Sequence, residues 1–223
     1  MKSLNSKNPA LTNKTTIFLK QVKDPCNVKR ILQPASGNSK LGKGSDRISK
    51  GKWKGFPLYS LSLEERSTCP TTCNQWTNCY GNNMPFANRI DHKNTEFLTL
   101  LKDEISGLAG KYPLGFVIRL HVLGDFYSVG YVNFWSKQLK KYPNLHLFGY
   151  THREKHSSIG KQLINLNGDR CWIRWSDAGG LFSANCPPKQ GDIVCPEQTG
   201  RTKSCLTCGL CWSITKPIGF LEH

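Results

Sequence analysis

Nowhere in the 223-residue chain does an apolar run approach the roughly 18–20 residues needed to cross a bilayer. That absence argues against a membrane span, and no membrane partner is expected. The first residues, MKSLNSKNPALTN, also lack the apolar core of a secretory signal, so the expected compartment is a reducing cytosol. Acidic residues are scarce as well: 15 Asp and Glu stand against 31 Lys and Arg, a formal charge of +16. Most of the excess sits in residues 1–54, where thirteen Lys and Arg face only Asp24 and Asp46, a net +11. A basic arm of this kind suits polyanions, DNA or RNA foremost, although only Phe18 and Trp53 offer rings for base stacking there.

Three further motifs are missing or incomplete. There is no internal repeat beyond an alternation of strands and helices. GNSKLGKG, residues 37–44, nearly fits the phosphate-binding pattern GxxxxGK[ST], but Gly44 replaces the hydroxyl that would hold magnesium and no helix start follows, which makes it a chance match. No carboxylate–histidine motif of recognised metal-hydrolase spacing occurs; a hydrolase using Asp125, His121 and His152 around a metal is therefore the weakest of the enzymatic readings.

Cysteine is not scarce. Ten are present, and seven fall in two tight groups, Cys69, Cys73 and Cys79, then Cys195, Cys205, Cys208 and Cys211. In a reducing compartment clustered cysteines are metal ligands or catalytic thiols more often than disulfides, and a chain this long needs no covalent staples. Structural zinc wants four ligands, so the first trio would need His92 or a distant cysteine to complete it. A [4Fe-4S] cluster can be held by three thiolates with one iron left open, and this trio favours that alternative over zinc. In the second group the CxxCxxC run at 205–211 resembles ferredoxin spacing, and a fourth thiolate from Cys195, with Cys186 competing, would close either a cluster or a zinc site. Cys26 and Cys171 read as free or buried thiols.

Hydrophobic periodicity gives the fold. TTIFLKQV (15–22) and PLYSLSL (57–63) read as strands. Phe97, Leu101, Ile105 and Leu108 share a helix face that Gly110 would close, and Ser128 and Ser157 or Ser158 can cap two more helices. FVIRLHVL (116–123), LHLFGYT (145–151) and CWIRWSD (171–177) are strands between them, the first with Arg119 and His121 on its polar face. Strand–helix alternation predicts right-handed βαβ units and an α/β fold with a parallel sheet, an open or partial β/α barrel. The expected organisation is a basic N-terminal extension (1–54), a barrel core (55–180) and a cysteine-rich cluster-binding segment (181–223).

In such folds functional groups collect at the carboxyl ends of the strands. Here those ends carry, in order, the cysteine loop; Gly124 and Asp125; Thr151, His152 and Arg153; and Ser176 and Asp177. His121 and His152 are candidate acid/base groups.

Two resemblances follow from these motifs. Residues 116–153, with GDF at 124–126 after one strand and YTHR after the next, resemble the first half of a radical S-adenosylmethionine barrel. The resemblance implies a [4Fe-4S] cluster on the first cysteine loop, S-adenosylmethionine held by Gly124 and Asp125 with Thr151, Arg153 and Asp177 nearby, an auxiliary cluster on the second group, and an electron donor such as a reductase or flavodoxin. The usual loop is CxxxCxxC; here the last gap is five residues, and Leu123 and Phe126 stand where the usual amine-binding motif has Gly and Pro. LYSLSLEERSTCPTTC, CYGNNMPFANRI, HVLGDFYSVGYVNFW, FGYTHR and CGLCW are similar to the phage and prophage proteins grouped as the gene product 88 family, implying a bacterial or phage-infected host cell. The rival from another class is a non-enzymatic, zinc- or cluster-stabilised module that grips nucleic acid.

Overall fold

The structure, a computed structural model, describes residues 2–222. After a single-turn helix α1 (Pro9–Thr12) and a two-residue strand β1 (Val22–Lys23), the chain forms β2 (Gln33–Pro34) and β3 (Leu58–Ser60). The cysteine loop leads to β4 (Arg89–Ile90) and helix α2 (Phe97–Lys111). The regular part follows as β5 (Phe116–Leu120), α3 (Val129–Lys141), β6 (Leu145–Thr151), α4 (Ser158–Leu166) and β7 (Cys171–Ser176). Short elements complete the chain: β8 (Ser183–Asn185), β9 (Ile193–Val194), the one-turn α5 (Cys205–Cys208) and β10 (Ile218–Gly219).

Eight strands form one sheet in the order β2-β3-β5-β6-β7-β8-β10-β9. Every pairing from β3 onward is parallel, and only β2 runs antiparallel to its neighbour. The chain is thus a mixed α/β protein with a parallel-rich sheet. β1 and β4 make a separate parallel pair.

The helices form where their apolar stripes meet the sheet. Phe97, Leu101 and Ile105 of α2 are buried at four-residue spacing. Ser128 accepts from Tyr131 N at the start of α3, and Ser157 from Gly160 N at the start of α4. Lys140 and Lys141 occupy the last turn of α3, where the helix dipole favours cations. Gly110 does not end α2, which continues to Lys111; no neighbour lies near the glycine to force a turn. The expected strand at 15–22 is realised only as Val22–Lys23. Thr16 is instead buried against acidic side chains, its N–H donating to Glu64 and its hydroxyl to Glu65.

Two cores result. The helix-side core packs Phe116, Ile118 and Leu120 against Phe97, Leu101, Tyr131 and Trp135. The opposite face of the same strands, through Val117 and Phe148, packs under Leu41, Ile48, Trp53, Leu206 and Trp212. Segments from both ends of the chain therefore cover the second face. Trp53 stacks on Trp212 at 5.7 Å and 11°, and Cys205 N and Leu206 N donate to the carbonyls of Lys40 and Leu41. The GKG stretch thus brackets the C-terminal cysteine segment.

Candidate functional site

A cavity of about 270 Å³ opens at the carboxyl ends of β3, β5, β6 and β7. Cys69, Cys73 and Cys79 line one side. Cys186, Cys195, Cys205, Cys208 and Cys211 line the other, so eight of the ten cysteines share one space. Gly124, Asp125, Thr151, His152, Ser176 and Asp177 supply the strand-end wall, and Arg119 and His121 of the β5 segment also face it. Arg153 is not on the wall. Cys26 is exposed and Cys171 buried elsewhere, while His92 packs on the Tyr127 ring at 4.7 Å and does not reach the trio.

The first cysteine loop is held by polar contacts that spacing alone does not reveal. It begins along β5, with Leu63 N donating to Leu123 O. Thr68 Oγ1 donates to Glu64 O and accepts from Asp125 N, and Arg153 reaches Thr68 O at 2.6 Å and Phe126 O at 2.7 Å. Gly124 has φ +88, and a Cβ there would lie 2.7 Å from Thr68 Oγ1, so the loop and the β5 end approach only because this residue is glycine. Arg66 donates to Trp76 O and to Asn82, while the buried Glu65–Arg89 pair, 2.6 Å apart, ties the loop to β4. Glu65 and Arg89 were not among the expected site residues; nothing in their sequence spacing marks a buried pair.

The second group is organised by Arg174 of β7. Its guanidinium donates to the carbonyls of Cys211, Ser183, Lys216 and Leu210, and also to Ile214 O. Tyr150 on β6 donates its hydroxyl to Cys211 Sγ at 2.8 Å.

Asp125 serves chiefly as a clamp. It accepts from Phe126 N, Thr151 Oγ1 and His152 N at 2.7–2.8 Å. Burial raises its carboxyl, against the lowering effect of those same three donors. His152 Nε2 lies 3.1 Å from Asn74 Oδ1, and Asn74 in turn donates to Asp177 at 2.7 Å; Asp177 also accepts from Cys186 N. His121 Nε2 lies 2.9 Å from the Tyr131 hydroxyl, and burial, with Arg119 adding to it, pushes the imidazole down to about 3. At neutral pH it is an uncharged ring.

Burial pushes the thiols up: Cys73 and Cys205 to about 12, Cys69 well above its ordinary range, and Cys79 and Cys211 in the same direction. A nucleophilic cysteine needs the opposite shift, so these thiols are unsuited to covalent catalysis and suited to deprotonation by a bound metal. Among the described residues no group of three or more His, Cys, Asp or Glu side chains is arranged so that it could hold a metal ion. Nor is any described helix long and apolar enough to cross a membrane.

Residues 28–166 match the sequence model of the family described as Gene product 88, well over half of the chain. The chain belongs to the gene product 88 family. No curated protein and no solved structure matches it. The family match ends with α4, so it includes the first cysteine loop, the GDF turn and Arg153 of this gene product 88 protein but not its second cysteine group.

Proposed function

We propose that this gene product 88 protein is a phage-type iron–sulfur enzyme of radical S-adenosylmethionine character, built on a partial β/α barrel with a basic extension (1–54) and a cysteine-rich end (181–223). One observation carries the reading: two cysteine groups far apart in sequence line a single cavity at the carboxyl ends of parallel strands. The donor chemistry fits iron. Both sets are soft sulfur donors, and burial raises the thiols of Cys69, Cys73, Cys79, Cys205 and Cys211, which a bound metal would deprotonate. Tetrahedral zinc on either set is the alternative.

In this reading Cys69, Cys73 and Cys79 hold an open [4Fe-4S] cluster. Cys205, Cys208 and Cys211 hold a second with Cys195, which lies within electrostatic reach of Cys205 and Cys211, whereas Cys186 has Asp177 among its neighbours. When bound and reduced, the open cluster supplies the electron that cleaves S-adenosylmethionine. The chain's own part is positional. Gly124 lets the cofactor-facing turn touch the loop, Asp125 keeps one acceptor site beyond the three it uses, and Thr151, His152 and Asp177 close the wall.

The test is anaerobic purification followed by iron, sulfide and zinc analysis and an absorption spectrum. About eight iron and eight sulfide per chain are expected for two cubanes, falling by about half in Cys73→Ala. A colourless protein with stoichiometric zinc and no sulfide overturns the cluster reading. Iron without 5′-deoxyadenosine, after reduction in the presence of S-adenosylmethionine, overturns the enzymatic one.

A further inference from the structure

Arg119 differs from every other shielded arginine in the fold. Arg66, Arg89 and Arg174 each reach carbonyl or side-chain oxygens, Arg89 through a carboxylate, and the partly buried Arg153 and Arg170 reach carbonyls. The Arg119 guanidinium donates no hydrogen bond among the described residues, and its Nε is fully shielded. It lies over the Tyr150 ring, 5.6 Å from the centroid. The charged or titratable groups that act on it most strongly are Tyr150, Tyr80, Cys205 and Cys211, with no carboxylate among them. The side chain is partly exposed, and its shielded Nε, with no acceptor among the described residues, is held at a cost that a guest completing the guanidinium would offset.

Two residues along the same segment, His121 repeats the pattern. Its Nε2 is taken by the Tyr131 hydroxyl, while Nδ1 is buried without a partner among the described residues. When the hydroxyl donates to Nε2, the ring proton sits on Nδ1 as a free donor. Both residues line the thiol cavity, whose neighbouring wall is apolar: Val122, Phe148, Trp212 and Ile218.

We propose that Arg119 and His121 form a carboxylate-binding subsite on the cavity floor, which accepts a small molecule with one carboxylate and an apolar body. The planar guanidinium presents paired N–H groups that match the two oxygens of a carboxylate, and His121 Nδ1–H can donate to one of them. The subsite goes beyond the cluster assignment and does not depend on it, because neither residue is a metal ligand in that reading.

The experiment is a calorimetric titration of the full chain, purified anaerobically, at constant ionic strength. Acetate, butyrate and 3-phenylpropionate are compared with 3-phenylpropionamide, which has the same shape without the charge. At least one carboxylate should bind, 3-phenylpropionate at least tenfold more tightly than its amide, and Arg119→Gln should erase that preference while Arg119→Lys retains part of it. Failure of all three carboxylates to bind, equal affinity for acid and amide, or an unchanged preference in Arg119→Gln overturns the proposal. A second readout needs no ligand. Among the described residues the substitution removes only the contact of the guanidinium with the Tyr150 ring, so the thermal midpoint of Arg119→Gln should fall by no more than about 5 °C; a larger fall would show that the fold itself holds the guanidinium and would overturn the subsite. Finding zinc instead of iron leaves each of these outcomes decisive.

Discussion

His121 is 4% exposed, with Arg119 near enough to add to the burial that holds its imidazole at about 3, far below the ordinary 6.5. As pH falls below 6.5 the unfolded chain takes up a proton at this position that the folded chain refuses, until the folded value near 3 is reached. The group's contribution to stability is complete above 6.5 and declines by about 1.4 kcal/mol per pH unit through that window, about 2 kcal/mol by pH 5. His121→Gln removes this one proton from the balance, so its urea-unfolding free energy should fall less steeply than the parent's between pH 7.5 and 5; parallel slopes would contradict the assignment. At this scale the sequence marks which residues carry chemistry but not what each does with it. His121 and Asp125 both stand out as polar residues at a strand end, yet Asp125 uses three acceptor sites on local donors and His121 is neutral, because both lie in a low-dielectric interior. Arg119 is visible on the polar face of FVIRLHVL, but its want of a hydrogen-bond partner among the described residues depends on what distant segments bring near it.

The elements that periodicity announces are those with one apolar stripe, α2, α3 and α4, the last two also with a side-chain cap, and the strands they flank. The 15–22 segment misleads because its apolar alternation serves tertiary contacts: Thr16 is drawn to two acids nearly fifty residues away, a pairing no local pattern encodes. The cysteine loop is the opposite case, legible as a metal motif but not as a structure. Thr68 is its hinge to β5, donating to Glu64 O at 2.7 Å and accepting from Asp125 N at 3.1 Å while wholly buried. Thr68→Val keeps the shape and strands both partners, a loss of about 1–3 kcal/mol. Denaturant melts should record that cost. Alkylation of the metal-free protein, read by mass spectrometry, should show Cys69 and Cys73 reacting several-fold faster with Cys205 unchanged. Equal acceleration at all three thiols would mean that Thr68 supports the whole sheet rather than this loop.

Across the whole molecule, the two ends of the chain meet on the face of the sheet that the helices leave open. A basic, Gly/Ser/Lys-rich stretch reads locally as a linker, yet Leu41, Ile48 and Trp53 within it are buried, because Leu206, Trp212 and Phe148 offer the apolar surface they need. Such a long-range union cannot be seen from either segment alone; each lacks periodicity and gains order only from the other. Trp53 is the pivot, stacked on Trp212 and edge-on to His146 at 5.1 Å. Trp53→Ala should therefore cost about 3–5 kcal/mol, the range for deleting a buried aromatic ring. The loss should not be uniform. Ser49 N and Lys40 O hold the α5 turn through Leu206 and Cys205, so loosening the N-terminal bracket should expose the second thiol group first. In hydrogen exchange of the metal-free chain, amides at 205–212 should lose protection while those of β5 and β6 keep theirs, since the helix-side core is untouched by the substitution. Loss of protection in β5 and β6 to the same degree would instead mean that the two cores unfold as one unit, and that the N-terminal bracket stabilises the entire sheet rather than the second cysteine group.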